Sequence, residues 1–288
     1  MKVRKSDFER LIPTTLLVIL GLTVPMVFGG AADAGETLAK VRKSGKITVG
    51  TEAAFPPFEF VKDGKIVGYG KDILDYIIAD LGVELNQLDV PFQGILPGLL
   101  AGKFDFIATT IQLRPERARK FAFTMPIAEG GSTLLKRQGD NRIKTADDLN
   151  GRVAGTQLGT SSEKTMRALN AKFKSMGKPG FELKLYTAAP EAYLALANGQ
   201  LDGVASLLPS LSTLIKERPG MFEIVGPLVE KKTWLGWVTR PEDTELRDYL
   251  TTKIRELKDS GKLYKLQEKW FGFRMEIPDS GYIPKGGI

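Results

Sequence analysis

Short apolar runs alternate along the chain with stretches whose apolar residues recur at helical spacing. Residues 46–51 (K-I-T-V-G-T), 84–92, 104–110, 131–136, 152–156, 181–187, 201–207, 222–226 and 233–239 are rich in β-branched or aromatic residues and read as strands. Between them Ile73, Leu74, Ile77, Ile78 and Leu81 fall on one helical face, as do Leu246, Tyr249, Leu250, Ile254 and Leu257. Strands alternating with helices predict an α/β architecture with mainly parallel sheets. The stretch at 51–60 (T-E-A-A-F-P-P-F-E-F) carries Pro56 and Pro57 and reads as a loop after the first strand.

Two segments repeat one design. A-G-K-F-D-F-I-A-T-T at 101–110 matches N-G-Q-L-D-G-V-A-S-L at 198–207, each after a helical apolar pattern (Leu96, Leu99, Leu100; Tyr193, Leu194, Leu196). Each reads as a helix, a glycine just past its end and a buried strand. Two α/β lobes of like design are therefore expected. Ligands of open α/β sheets gather beyond the carboxyl ends of the strands. That rule directs Thr109 and Thr110 of one half, and Ser206 and Leu207 of the other, toward one cleft.

Composition narrows the chemistry. The chain has 288 residues, 42% hydrophobic and 26% charged, which is a globular balance. Residues 1–34 carry Lys2, Arg4, Lys5 and Arg10, then an apolar stretch broken by Gly21 and Pro25, then small residues around Ala32 and Ala34. This is the pattern of a cleavable secretory signal, too short for a membrane span. With no cysteine there is no disulfide framework and no thiol for a lipid anchor. A soluble periplasmic protein is expected if the source has two membranes. The absence of histidine removes Ser-His-Asp and Cys-His sites and nearly all zinc constellations, so neither a metal nor another cofactor is expected. The net charge is +7, of which the first ten residues supply +2, and the basic run at 114–120 lacks interleaved aromatics, so no nucleic-acid partner is expected.

Candidate site residues follow the strand ends. Arg117 stands just past strand 104–110, where a guanidinium either donates two parallel hydrogen bonds to a carboxylate or forms a surface ion pair. Thr110 and the backbone around Gln112 add donors there. Thr160 and Glu163 have the spacing of a capping box, and the same helix start offers free N–H groups to an anion. Phe55, Phe58 and Phe92 are either pocket walls or core. Glu52, at the end of the first strand, receives a cation or is solvated. Gly68-Tyr69-Gly70-Lys71 lacks the rest of a phosphate loop. Trp234 and Trp237 read as packing near a lobe junction.

The segments V-G-T-E-A-A-F-P-P-F-E-F (49–60), G-I-L-P-G-L-L-A-G-K-F-D (94–105), R-P-E-R-A-R-K-F-A-F (114–123), P-E-D-T-E-L (241–246) and D-S-G-K-L-Y-K-L-Q-E-K-W-F (259–271) resemble the bacterial extracellular solute-binding proteins of family 3, periplasmic receptors of polar amino acid ABC importers. The resemblance covers about residues 45–274. It implies a type II periplasmic-binding-protein fold: two α/β lobes joined by crossover strands near 130–132 and 234–236, closing on a ligand by a hinge motion. The implied division is lobe 1 at 45–130, lobe 2 at 131–234, a return to lobe 1 at 235–274 and a tail at 275–288. The same resemblance makes Arg117 the carboxylate anchor, assisted by Thr110, Gln112 and Ser161, with Phe55 and Phe92 as walls and Glu52 at the side-chain end of the pocket. It implies a small carboxylate or amino-acid-like ligand, a membrane permease and an ATPase as partners, and a monomer. Two departures stand out. Leu207 occupies the position where members that bind α-amino acids usually place an aspartate for the ammonium, and Gly68-Tyr69 is followed by Gly70-Lys71-Asp72 where the family has an acidic residue, an apolar one and another acidic one. Either Glu52 takes the cation or the ligand lacks an ordinary α-ammonium. Exported dehydratases share the scaffold and are the alternative.

Overall fold

The computed structural model describes residues 36–229 and 232–287. The secretory signal expected at 1–34 lies outside them. Helix α1 (Thr37–Ser44) ends on Gly45, whose φ of 68° is a left-handed turn open to glycine, and leads into β1 (Lys46–Thr51). A small antiparallel meander follows, β2 (Ala54–Phe55), β3 (Glu59–Lys62) and β4 (Lys65–Val67). The loop expected at 51–60 is therefore partly strand. Runs of two to four residues around two prolines are too short to show a period.

Next come α2 (Tyr69–Leu81), β5 (Glu84–Asp89), α3 (Phe92–Leu100), β6 (Phe106–Gln112), the single turn α4 (Pro115–Ala118), β7 (Ala122–Phe123) and β8 (Ala128–Glu129). Then β9 (Ser132–Arg137), β10 (Val153–Gln157), α5 (Ser161–Ser175), β11 (Glu182–Tyr186), α6 (Ala189–Ala197), β12 (Gly203–Leu207), α7 (Leu208–Glu217) and β13 (Phe222–Pro227) build the second half. The chain closes with β14 (Trp234–Thr239), α8 (Thr244–Asp259) and α9 (Lys262–Phe271). The strand expected at 84–92 stops at Asp89, whose carboxylate accepts from the Ala53 N–H at 2.8 Å. Pro91 then starts a helix, so Phe92 is its first residue.

One sheet runs β5-β1-β6-β14-β7 with β8 also on β14, and the other runs β11-β10-β12-β9-β13. In each, three strands are parallel (β5, β1, β6; β11, β10, β12), and their neighbours β14 and β9 are antiparallel to them. The sheets are thus mixed, not mainly parallel, because β9 and β14 are the strands by which the chain passes from one sheet to the other. Those passages lie side by side: Trp234 pairs with Glu129 and Leu235 with Ala128, and the Gly130 N–H donates to Thr233 O at 2.8 Å. A Cβ on Gly130 would stand 2.6 Å from the Leu235 side chain, so this crossing admits only glycine without a shift.

Each lobe is held by helices laid on its sheet. Ile73, Leu74 and Ile77 of α2 and Leu246 and Ile254 of α8 are fully buried against the first sheet's core. Met166 and Phe173 of α5 pack with Leu134 and Ala154 under the second. At about 1.5–3 kcal/mol per fully buried large apolar side chain, these faces outweigh local helix propensity in fixing the lobes. The repeated design is visible: α3 and α6 are followed by Gly102 and Gly199, both at positive φ, and then by β6 and β12. Residues 275–287 pack back on the protein, with Met275 and Ile277 buried and the Met275 N–H donating to Gln267 Oε1 at 2.7 Å.

Candidate functional site

The carboxyl ends of β1, β6, β10 and β12 converge on one cavity, lined by residues of both large sheets. Of the residues singled out from sequence, Glu52, Phe55, Phe92, Thr110, Gln112, Arg117, Thr160, Ser161, Ser206 and Leu207 line it, whereas Phe58 is fully buried in the core and Glu163 does not reach it. Thr109 does not, because alternation along β6 turns it to the other face, where its hydroxyl donates to Glu59 Oε2 at 2.8 Å.

Arg117 sits in the turn α4 after β6 and is half-buried. Its guanidinium reaches the second lobe, donating to Gly159 O at 3.1 Å and Ser161 Oγ at 3.3 Å, and it lies 5.8 Å from the Phe92 ring centroid. Among the described residues no carboxylate lies within ion-pair distance of it. Burial, with Arg114 next to it, pulls its pKa down to about 10, so it remains charged at neutral pH. Thr110, which lines the same cavity, is 5% exposed and its Oγ1 has no hydrogen-bond partner. A buried hydroxyl without a partner costs about 1–3 kcal/mol, and here it faces a cavity that can hold an acceptor.

The opposite wall is the start of α5. Thr160 is its N-cap, and its hydroxyl accepts from the Glu163 N–H at 3.3 Å. The reciprocal half of the expected capping box is displaced by one residue, since Glu163 Oε2 accepts from the Gly159 N–H at 2.7 Å. Ser161 opens the helix and receives two arginines, because Arg114 also donates to its Oγ at 2.9 Å and its carbonyl at 2.9 Å. Sequence reasoning passed over Arg114 as part of a basic run. Lys164 pairs with Glu116 across the same seam.

Glu52 follows β1 and is 3% exposed. It accepts from Gln157 Nε2, which also donates to Thr187 O at 3.1 Å. Desolvation raises the Glu52 pKa to about 7; the Gln157 hydrogen bond opposes this and Asp89 adds to it. Gln157 was missed because the expected strand was ended one residue early, although the strand-end rule that marked Thr110 applies to it equally. Thr156, Ser162, Ala205, Ser206 and Leu235 also line the cavity. Leu207 is the uncapped N-cap of α7 and presents no acceptor side chain.

Behind the site, Glu59 is fully buried. Burial pushes its carboxyl well above the usual range, and Oε1 has no partner. It fills the space of a missing side chain, since a Cβ on Gly70 would stand 1.7 Å from Oε1. The altered G-Y-G sequence at 68–70 and the buried Glu59 are one packing arrangement. Among the described residues no group of three potential ligands could hold a metal ion, and no helix is long and apolar enough to cross a membrane.

Two α/β lobes, joined by two adjacent crossings and sharing a cavity at the carboxyl ends of their strands, define a type II binding protein. Residues 47–273 match the bacterial extracellular solute-binding proteins, family 3, and the chain belongs to that family. It is 28% identical over 258 residues to an L-cystine-binding protein of Escherichia coli, covering 89% of this chain and 93% of that protein. An ancestral arginine-binding protein bound to arginine superposes with a TM-score of 0.72 at 32% identity, covering 79% of this chain and 99% of the other. An ancestral amino acid-binding protein, described as a precursor of cyclohexadienyl dehydratase, superposes with a TM-score of 0.72 at 28% identity, covering 82% and 99%.

Proposed function

We propose that the protein is the periplasmic receptor of an ABC importer for a small carboxylate-bearing solute, an amino acid or amino-acid-like molecule, with the carboxylate held at Arg117. The observation that carries this reading is the presence, in one interlobe cavity, of a guanidinium without a carboxylate partner among the described residues and a buried hydroxyl, Thr110 Oγ1, without a partner. A carboxylate between them satisfies both, with Ser161 and the Gln112 region as further donors and Phe55 and Phe92 as walls. Interlobe closure follows from the seam: Arg114 and Arg117 of one lobe bond residues of the other, so solute and protein groups together favour the closed arrangement. The binding of L-cystine and arginine by relatives supports an amino-acid-like solute. The partners are a membrane permease and an ATPase.

Denaturing the purified protein and identifying the released molecule by mass spectrometry tests this. A carboxylate whose readdition gives saturable binding supports the proposal, and its recovery unchanged after long incubation separates a receptor from a dehydratase. Glu52, with a pKa near 7 in the same cavity as Arg117, is the group that would act as acid if turnover were seen.

A further inference from the structure

The cavity is electrically lopsided, and this bears on which solute it takes. Its Arg117 end is surrounded by positive potential. The N-terminus of α5 lies there, and so does Leu207, whose backbone pairs with Ser132, whose hydroxyl in turn lies 3.1 Å from that of Ser162 in the first turn of α5. Leu207 is also the N-cap of α7, with no side-chain acceptor of its own, so a second helix start stands at the cavity wall there. The nearby acid, Glu163, is engaged by the Gly159 N–H and by Arg167 at 2.7 Å, and it does not line the cavity. The unpartnered Thr110 hydroxyl, which also lines the cavity, independently marks the cavity for an acceptor. The cavity's one lining acid is Glu52, held at the end of β1 by Gln157, the residue after Thr156, which is in register with Ala205. Glu52 and Arg117 are not within ion-pair distance, so the two charges stand more than 4.0 Å apart. Phe55, Phe92 and Leu235 supply apolar surface suited to methylene groups.

We infer that the solute is an ω-cationic carboxylate: its carboxylate meets Arg117 and Thr110, its positive group meets Glu52, and it carries no ammonium on the carbon next to the carboxylate. An α-ammonium would sit against the Leu207 side chain between two positive helix ends, losing its hydration without gaining a carboxylate. This inference rests on the receptor reading and adds the position of the charge.

Calorimetry with matched pairs tests it. Lysine and 6-aminohexanoate differ only by the α-ammonium, as do arginine and 5-guanidinopentanoate, and 2,4-diaminobutanoate and 4-aminobutanoate. Hexanoate, pentanoate and butanoate are the corresponding acids without either cation. The expected result is that, in the pair whose length fits, the ω-cationic member binds at least about tenfold tighter than its α-amino counterpart and than the cation-free acid of equal length. Glu52→Gln should erase the advantage over the cation-free acid, and Leu207→Asp should raise affinity for the α-amino member, with circular dichroism confirming that both variants fold. The inference is overturned if the α-amino member binds as well or better in every pair, or if no ω-cationic member binds. Tight α-amino acid binding that Arg117→Ala abolishes would overturn this inference and leave the receptor reading standing. Solute binding that ignores Arg117→Ala would remove the receptor reading itself.

Discussion

Removing the guanidinium of Arg117 is the sharpest perturbation the site offers. Arg117→Ala deletes the bonds to Gly159 O and Ser161 Oγ and leaves the solute's carboxylate facing Thr110 and the α5 N-terminus alone. Hydrogen bonds to charged groups contribute about 1.5–3 kcal/mol each, and breaking a desolvated charge pair by removing one partner costs about 3–5 kcal/mol. At about 1.4 kcal/mol per tenfold, affinity should fall by roughly two to three and a half orders of magnitude. Arg117→Lys keeps the charge but not the planar fork, and should recover only part of the loss. The side chain is half-buried and has no carboxylate partner among the described residues, so the ligand-free melting temperature should stay within a few degrees. Titration of the released solute into each variant by calorimetry, beside a thermal melt without solute, provides both numbers. Undiminished affinity in a folded Arg117→Ala protein would refute the anchor role.

Four further outcomes are expected. Glu52 has its folded pKa raised to about 7 by burial, with Gln157, Asp89 and the more distant Glu59 and Tyr193 as the groups that interact with it. Its contribution to ligand-free stability is fully present below about pH 4.5 and is lost as pH rises through about 7, so the melting temperature should drop across that window and Glu52→Gln should flatten the drop. Affinity for a solute that places a cation on Glu52 should run the opposite way, rising with pH up to about 7, as calorimetry at several pH values would show. Gly70→Ala forces a Cβ to within 1.7 Å of Glu59 Oε1 and should cost about 1–3 kcal/mol, read as a fall in melting temperature that Glu59→Ala partly relieves; an unchanged melt would discount the coupling. Thr110→Val replaces a hydroxyl that lacks a partner in the ligand-free protein, so it should leave stability unchanged or improved while weakening solute binding about tenfold by calorimetry.

The sequence carried the frame well where burial imposes a period. The nine main strands were placed to within three residues at either end, and the glycine-terminated helices before β6 and β12 revealed the doubled design. It carried less where a few residues are governed by distant partners. The meander β2 to β4 is held by pairing between strands of two to four residues, and Glu59 is buried because Gly70 leaves it room, a relation between positions eleven apart with no local signature. The site was legible because it lies at strand ends, the one place where topology alone predicts a ligand. Gln157 escaped because strand 152–156 ends one residue short of it, and Arg114 because it reads as one of a basic run; their partners Glu52 and Ser161, in the other lobe, are visible only in the folded chain.

Leu235 both lines the cavity and fills the space beside Gly130, at the narrow place where the chain passes between the lobes. One side chain therefore serves both the wall of the pocket and the packing of the crossing. An exchange at this position that reshapes the one must also disturb the other, so the two cannot be altered separately.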